Sequence, residues 1–272
     1  FENNKSSDSN NFTKEVTMNK DDFFKGIYQI EVQSGSNSIK YPIFYREVSY
    51  ICLFLLAPID KITAILPSKR MNPFRLTPWH SMFTITATQY KDSDLGPYNQ
   101  VSIGIPFVLD NQTPIFTGVL HKVPDVPLIY TLHLPVTSEH ARDSGIAMAN
   151  YPEFIAEINF SKDNNWINCK ADSEGQNILS LSCREIPVKL FPRQRVFTVT
   201  QKNEQLLRSE FNFSETMVGI SKKQSNVKLE FGNHPIGQKI KGLYTGKVLQ
   251  YQYYPSGQAI LSTPTESFSL II

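Results

Sequence analysis

The stretch YPEFIAEINF, from Tyr151 to Phe160, places a carboxylate, Glu153, directly after a proline and at the start of an apolar run. Successive residues of a strand point to opposite faces, so Phe154, Ala156, Ile158 and Phe160 form one apolar stripe, while Glu153, Ile155, Glu157 and Asn159 share the other face. A carboxyl group at the edge of an apolar wall has its charged form disfavoured. Its pKa rises, and it becomes a candidate general acid or base, or a partner for a buried cation. The competing reading is a solvated carboxylate, or one paired with a surface lysine or arginine.

Other reactive side chains are sparse. The histidines are His80, His121, His133, His140 and His234, and only His133 and His140, with Glu139 and Asp143, lie close enough in sequence to resemble a metal-binding set. Their spacing crosses a strand-to-helix junction and matches no recurrent site, so a hydrogen-bonded histidine at 133 and a solvated helix face at 139–143 are expected, with no metal and no other cofactor. Cys52 lies in an apolar run, while Cys169 and Cys183 flank the turn DSEGQN. They read as small strand residues, with a disulfide across that hairpin as the alternative. The glycine-rich dinucleotide and phosphate loops, the nucleophile elbow and the HExxH zinc motif are all absent.

The elements that must position these residues are strands. Short β-branched or aromatic runs recur along the chain, among them VSYICLFLL, MFTITATQY, NQVSIGIPFVL, IFTGVL, LIYTLHLPV, WINCKA, ILSLSC, RVFTVTQ, LLRSEFNF, VLQYQYY and QAILS, nearly all bounded by Pro, Gly, Asn or Asp. The spacing predicts a mainly β fold with few short helices, arranged as an antiparallel barrel or stacked sheets. Helices are expected at KITAILP, capped by Asp60, at EHARDSGIAM, capped by Thr137 or Ser138, and at HPIGQKIKGL, with Pro235 early in its first turn. Residues 1–22 are polar and expected to form a flexible arm, leaving 23–272 as one domain.

With 272 residues, 40% of them hydrophobic, the chain is long enough to bury a substantial core. A formal net charge of +2 without clustered Lys or Arg argues against nucleic acid as a partner. The longest apolar run, VSYICLFLLAPI, is roughly half the length of a membrane-spanning helix, so no transmembrane segment is expected. The chain begins at Phe1; the cytoplasm is the first expectation for its location, with export left open. Sequons at Asn11, Asn111, Asn159 and Asn212 decide nothing in an Asn-rich sequence.

LGPYNQVSIGIPF from Leu95, LPVTSEHARDSGIAMANYPEFIAEI from Leu134 and LQYQYYPSGQAIL from Leu249 together resemble the acetoacetate decarboxylase-like family. The resemblance implies a cone-like antiparallel β-barrel around an apolar pocket, commonly in homo-oligomers. In the decarboxylases of that family a lysine in YPKK or FPKK forms a Schiff base with a β-keto acid, and the iminium accepts the electrons released as carbon dioxide leaves. That chemistry needs a neutral amine, kept so by burial and a neighbouring cation.

Laid without a gap on the family pattern G-R-E-x-x-x-Y-P-K-K, GIAMANYPEF places Glu153 where the Schiff-base lysine stands and Phe154 where its cationic neighbour stands. The acid/base glutamate of the family falls at Gln100, a further pocket glutamate at Thr84, and the substrate-binding arginine close to Arg46. A carboxylate cannot form an imine. Lys91 and Lys122 are the nearest alternative amines, and nothing in the sequence places either in a pocket. The expectation is a pocket lined by Thr84, Tyr98, Gln100, His133, Met148, Glu153 and Phe154, with Arg46 as anion anchor, that binds a small carbonyl, carboxylate or lipid-like ligand. The alternative is a lyase or hydratase acting on a keto acid or related carbonyl compound, with Glu153 as general acid or base.

Overall fold

The computed structural model describes residues 20–34, 37–110 and 128–270. Most of the expected N-terminal arm, the expected strand IFTGVL (115–120), His121, Lys122 and the sequons at Asn11 and Asn111 lie outside these residues.

Two-residue alternation sets the two sides of the main sheet. After a separate hairpin of β1 (Ile30–Ser34) and β2 (Asn37–Tyr41), β3 (Ile43–Pro58) sends Ile51, Leu53, Leu55 and Ala57 to one face, each at most 1% exposed, and Tyr50, Cys52 and Phe54 to the other. Following the short β4 (Met71–Pro73), β5 (His80–Ser93) splits Phe83, Ile85 and Ala87 from Thr84, Thr86 and Thr88 in the same way. In β6 (Tyr98–Leu109), Val101, Ile103 and Ile105 oppose Tyr98, Gln100 and Ser102. One face is therefore aliphatic, and the other is aromatic and hydroxylic.

The chain continues through β7 (Leu128–Val136) and β8 (Glu153–Ile155), then β9 (Glu157–Asp163), β10 (Trp166–Ser173) and β11 (Gln176–Arg184). After β12 (Lys189–Phe191) come β13 (Gln194–Lys202), β14 (Gln205–Phe213), β15 (Thr216–Ser221), β16 (Val227–Phe231), β17 (Val248–Leu261) and β18 (Glu266–Ser269). Hydrogen-bonded neighbours run β17–β3–β5–β6–β7–β13–β14, and β14 then pairs back onto β17 through Phe211↔Leu261, Asn212↔Ile260 and Phe213↔Ala259. The sheet closes on itself, with the aromatic and hydroxylic face inside. Pairing is antiparallel except where β7 runs parallel to β13 and to β8.

A four-stranded sheet, β16–β11–β10–β9, supplies the partner for the aliphatic outer face. Ile158, Ala171, Leu179 and Leu181 from it meet Leu53, Phe83, Ile85 and Ile103 from the barrel in one buried cluster. Each fully buried leucine or isoleucine there contributes about 1.5–3 kcal/mol, so the stability of the fold is concentrated between the sheets, outside the barrel. Cys169 and Cys183 point into this layer as free buried thiols, each facing an aliphatic partner in the hairpin register (Cys169↔Leu181, Cys183↔Ile167). The turn between their strands is tight because Glu174 and Gly175 both take positive φ, 51° and 74°.

Short helices connect the strands. Ser138 caps α2 (Glu139–Ala149) by accepting from the Ala141 N–H, and His234 caps α3 (Pro235–Leu243), whose first turn holds Pro235. At α1 (Ile59–Ile65) the expectation is corrected: Pro58 is the capping position and Asp60 sits inside the first turn, because β3 runs straight into the helix. VLQYQYY and QAILS, expected as two strands, are one bent strand, β17, with register shifts around Gly257. FIAEINF is conversely cut in two, since Glu153–Ile155 pairs with β7 while Glu157–Asp163 pairs with β10.

Candidate functional site

The inner face of the barrel encloses a cavity of about 410 Å³. Its wall is aromatic over one arc: Tyr45 and Tyr90 lie 4.4 Å apart between ring centres, Tyr90 and Tyr98 stack at 4.5 Å, and Phe211 packs on Tyr45 at 5.6 Å. Tyr98 donates to the Tyr45 hydroxyl at 3.4 Å. Burial raises the pKa of both phenols well above the ordinary value, so they stay neutral and offer hydrogen bonds without charge. The remaining arc carries Thr84, Thr86, Thr88, Ser102 and Thr131. Thr84 donates to the Gly104 carbonyl at 3.2 Å, and Thr86 donates to the Cys52 sulfur at 3.2 Å.

Glu153 reaches this space through a sharp local turn. Helix α2 ends at Asn150, in the left-handed region at φ 52°, and the Asn150 side chain donates to the Gln201 carbonyl at 2.7 Å. Tyr151 is pinned by a 2.6 Å hydrogen bond between its hydroxyl and that of Thr198, and β8 then pairs Glu153 with Leu134 of β7. The carboxyl group lies against α2 where the helix has no side chain: a Cβ on Gly145 would stand 2.3 Å from Glu153 Oε1. Glu153 Oε2 is buried without a hydrogen-bond partner. Burial pushes the carboxyl pKa up to about 9, against the pull of Arg142 and with reinforcement from Asp143. At neutral pH Glu153 therefore keeps its proton and presents an O–H donor to an aromatic cavity. The solvated-carboxylate reading is thereby corrected: the residue lines the interior.

Of the other residues expected at the pocket, Thr84, Tyr98, Gln100 and Met148 line the cavity with Glu153. Arg46, His133 and Phe154 do not. Arg46 follows the inward-pointing Tyr45, so alternation turns it outward, where it pairs with Asp94 at 2.6 Å and Asp92 at 3.8 Å. Phe154 is adjacent to Glu153 and must face the other way, onto the core between the sheets. The Nε2 of His133 is buried without a partner, and burial together with Lys239 and His234 lowers its pKa to about 4. Those neighbours belong to α3 and its cap, on the outside of the barrel. Lys91 is an exposed partner of Glu47 at 3.3 Å. Among the described residues no lysine lines the cavity.

Of the tyrosine arc, the sequence points to Tyr98 alone and leaves out Tyr45 and Tyr90. In β13 it is Gln194, Val196 and Thr198 that turn inward beside Phe211 and Phe213, while the exposed Arg195 side chain stands on the outer face. Arg193 lies over the Phe23 ring at 5.5 Å, and Arg195 over Phe197 at 5.1 Å with Glu210 at 4.0 Å. Alternation through PRQRVF puts Arg195 on the same face as Val199, which is buried in the layer between the sheets.

Comparison with known proteins bears on this arrangement. The sequence matches the family described as acetoacetate decarboxylase (ADC) over residues 31–214. Among solved structures, the acetoacetate decarboxylase of Legionella pneumophila superposes with a TM-score of 0.59 at 12% identity, covering 84% of this chain and 87% of that one. The enduracididine biosynthesis enzyme MppR complexed with pyruvate superposes with a TM-score of 0.58 at 12% identity, covering 84% and 89%. At that identity the structural likeness speaks to the fold alone. No curated protein matches the sequence.

Proposed function

The chain belongs to the acetoacetate decarboxylase family, and from that premise we propose that its barrel binds a small carbonyl, carboxylate or lipid-like ligand without forming an imine. The observation that carries the reading is a single substitution of chemistry: the cavity has a protonated carboxyl, Glu153, against Gly145 of α2, and no lysine among its described lining residues. A neutral carboxyl can donate a hydrogen bond to a ligand carbonyl oxygen. It has no nitrogen with which to form the electron sink. Gln100 and the hydroxyls of Thr84 and Thr86 add neutral polar contacts on an otherwise apolar wall, the composition usual for a small-molecule site.

The test is reductive trapping. Incubation with pyruvate or acetoacetate and borohydride, read by intact mass spectrometry, is expected to leave the native chain unmodified. Glu153→Lys, which restores an amine at the same wall, serves as the positive control. An adduct on a lysine of the native chain, Lys122 included, would overturn the reading. Native mass spectrometry of the purified protein then identifies any retained ligand.

A second reading keeps chemistry in the cavity. The place of Glu153 in the cavity wall favours it, because a carboxyl there can exchange a proton with a bound carbonyl compound. Under this reading the protein is a lyase or hydratase, with Glu153 as the general acid or base. Solvent deuterium exchange into the methyl group of pyruvate, lost in Glu153→Gln, would favour it over binding alone.

A further inference from the structure

We infer that the ligand is an uncharged, largely apolar molecule carrying a ketone or similar acceptor oxygen, which it presents to Glu153. The inference rests on the preceding reading that the cavity is a ligand site, and it narrows the ligand class by removing carboxylates from it.

The strand register decides which charges reach the interior. In the β13–β14 hairpin Val196 stands opposite Phe211 and Gln194 opposite Phe213, and all four line the cavity. Arg195 is thereby turned to the outer face with Phe197 and Glu210, and Arg193 rests on the Phe23 ring. Among the described residues, the ionisable groups left on the inner wall are acids: Glu153, the Cys52 thiol and a set of phenols. Tyr45, Tyr90, Tyr98 and Tyr151 are close enough to Glu153 that a charge on it disfavours ionising each of them. An anion brought against this wall would lose its hydration with no cation to replace it, so the ligand is not a carboxylate.

A cation meets a different cost. It would need Glu153 to ionise, and burial holds that proton up to about 9. Expelling the proton at pH 7 costs about a hundredfold in affinity, and no second carboxylate among the described lining residues shares the charge. A neutral acceptor meets neither cost, because a protonated carboxyl is a hydrogen-bond donor as it stands. Tyr45, whose hydroxyl accepts from Tyr98 at 3.4 Å, is a second neutral donor on the same wall.

Size and wall chemistry set the body. A cavity of about 410 Å³ falls in the range of roughly 300–1,000 Å³ that encloses drug-sized ligands, and a molecule of three or four carbons would leave most of it empty. Tyr90, Tyr98, Phe211 and Phe213 supply stacked or tilted rings, and Val196 and Leu261 aliphatic surface, for an apolar or aromatic chain.

The experiment varies one group on a fixed skeleton. 4-Phenylbutan-2-one, 3-phenylpropionate and 4-phenylbutan-2-amine are titrated calorimetrically at pH 7 into the native protein, and the ketone also into Glu153→Leu. The ketone is expected to bind the native protein at least about tenfold more tightly than the acid or the amine, and to lose about tenfold once the donor at 153 is gone. An acid or amine that binds the native protein as tightly as the ketone overturns the inference and leaves the cavity reading standing. A charged ligand retained through purification and identified by native mass spectrometry does the same, as does unchanged ketone affinity in folded Glu153→Leu. The comparison on the native protein decides alone if that variant does not fold. Binding of none of the three, with nothing retained in native mass spectrometry, removes both.

Discussion

Glu153 carries a proton at neutral pH because its surroundings take water away without supplying a partner, and this has a thermodynamic signature. The folded carboxyl titrates near about 9 and the unfolded one near 4.5, so between these values the folded state holds a proton that the unfolded state has released. Stability is therefore full below the unfolded value, falls as pH rises toward about 9, and is flat above it, with a slope of at most about 1.4 kcal/mol per pH unit from this group. Glu153→Gln keeps a neutral side chain of similar size. It is expected to abolish that part of the slope and to be the more stable protein above pH 8, read from denaturation midpoints across a pH series. An identical slope in both proteins would mean that Glu153 is ionised in the fold. Alternation made this residue legible from sequence, since it separated Glu153 from Phe154. The same rule, applied one residue back from Arg46 to the inward-pointing Tyr45, accounts for why that arginine is not in the cavity.

At the scale of elements, close approach matters more than propensity. Helix α3 contains two glycines with opposite surroundings: a Cβ at Gly237 would stand 2.3 Å from the backbone carbonyl oxygen of Ile178 in β11, while one at Gly242 would meet nothing within 4 Å. Gly237→Ala is expected to destabilise by about 1–3 kcal/mol, because a strand backbone cannot step aside. Gly242→Ala is expected to stabilise by about 0.4–1 kcal/mol, through the smaller entropy of the unfolded chain. Thermal unfolding of the two variants in parallel checks both signs. The helices were legible from capping residues, and Ser138 and Pro235 stand where their chemistry indicates. The ends of the strands were less so, because β8 and β9 are divided by which sheet each joins, and local sequence does not encode that partnership.

For the whole molecule, the main sheet has one face that holds the fold together and one that encloses space. Ile85→Ala, in the layer between the sheets, is expected to cost about 2–5 kcal/mol. Its neighbour Thr86→Ala, facing the cavity, is expected to cost less than about 1 kcal/mol and to change ligand affinity instead. Chemical denaturation paired with ligand titration separates the two. The alternation of MFTITATQY announced two unlike faces, but a threonine stripe reads as solvent-facing until the sheet is known to close around it. The seams of that closure are unequal. The β13–β14 hairpin, whose first strand begins beside Arg193 and includes Arg195, joins β7 through Phe197–Val199 and β17 through Phe211–Phe213, short ladders beside the long β3–β5 pairing. A third short ladder joins β14 to β18, and with pairing this brief the amides of the hairpin are expected to exchange with deuterated solvent sooner than those of β3. A ligand resting against Val196, Thr198 and Phe211 would slow that exchange, so occupancy would be written in the residence time of the guest as much as in its affinity.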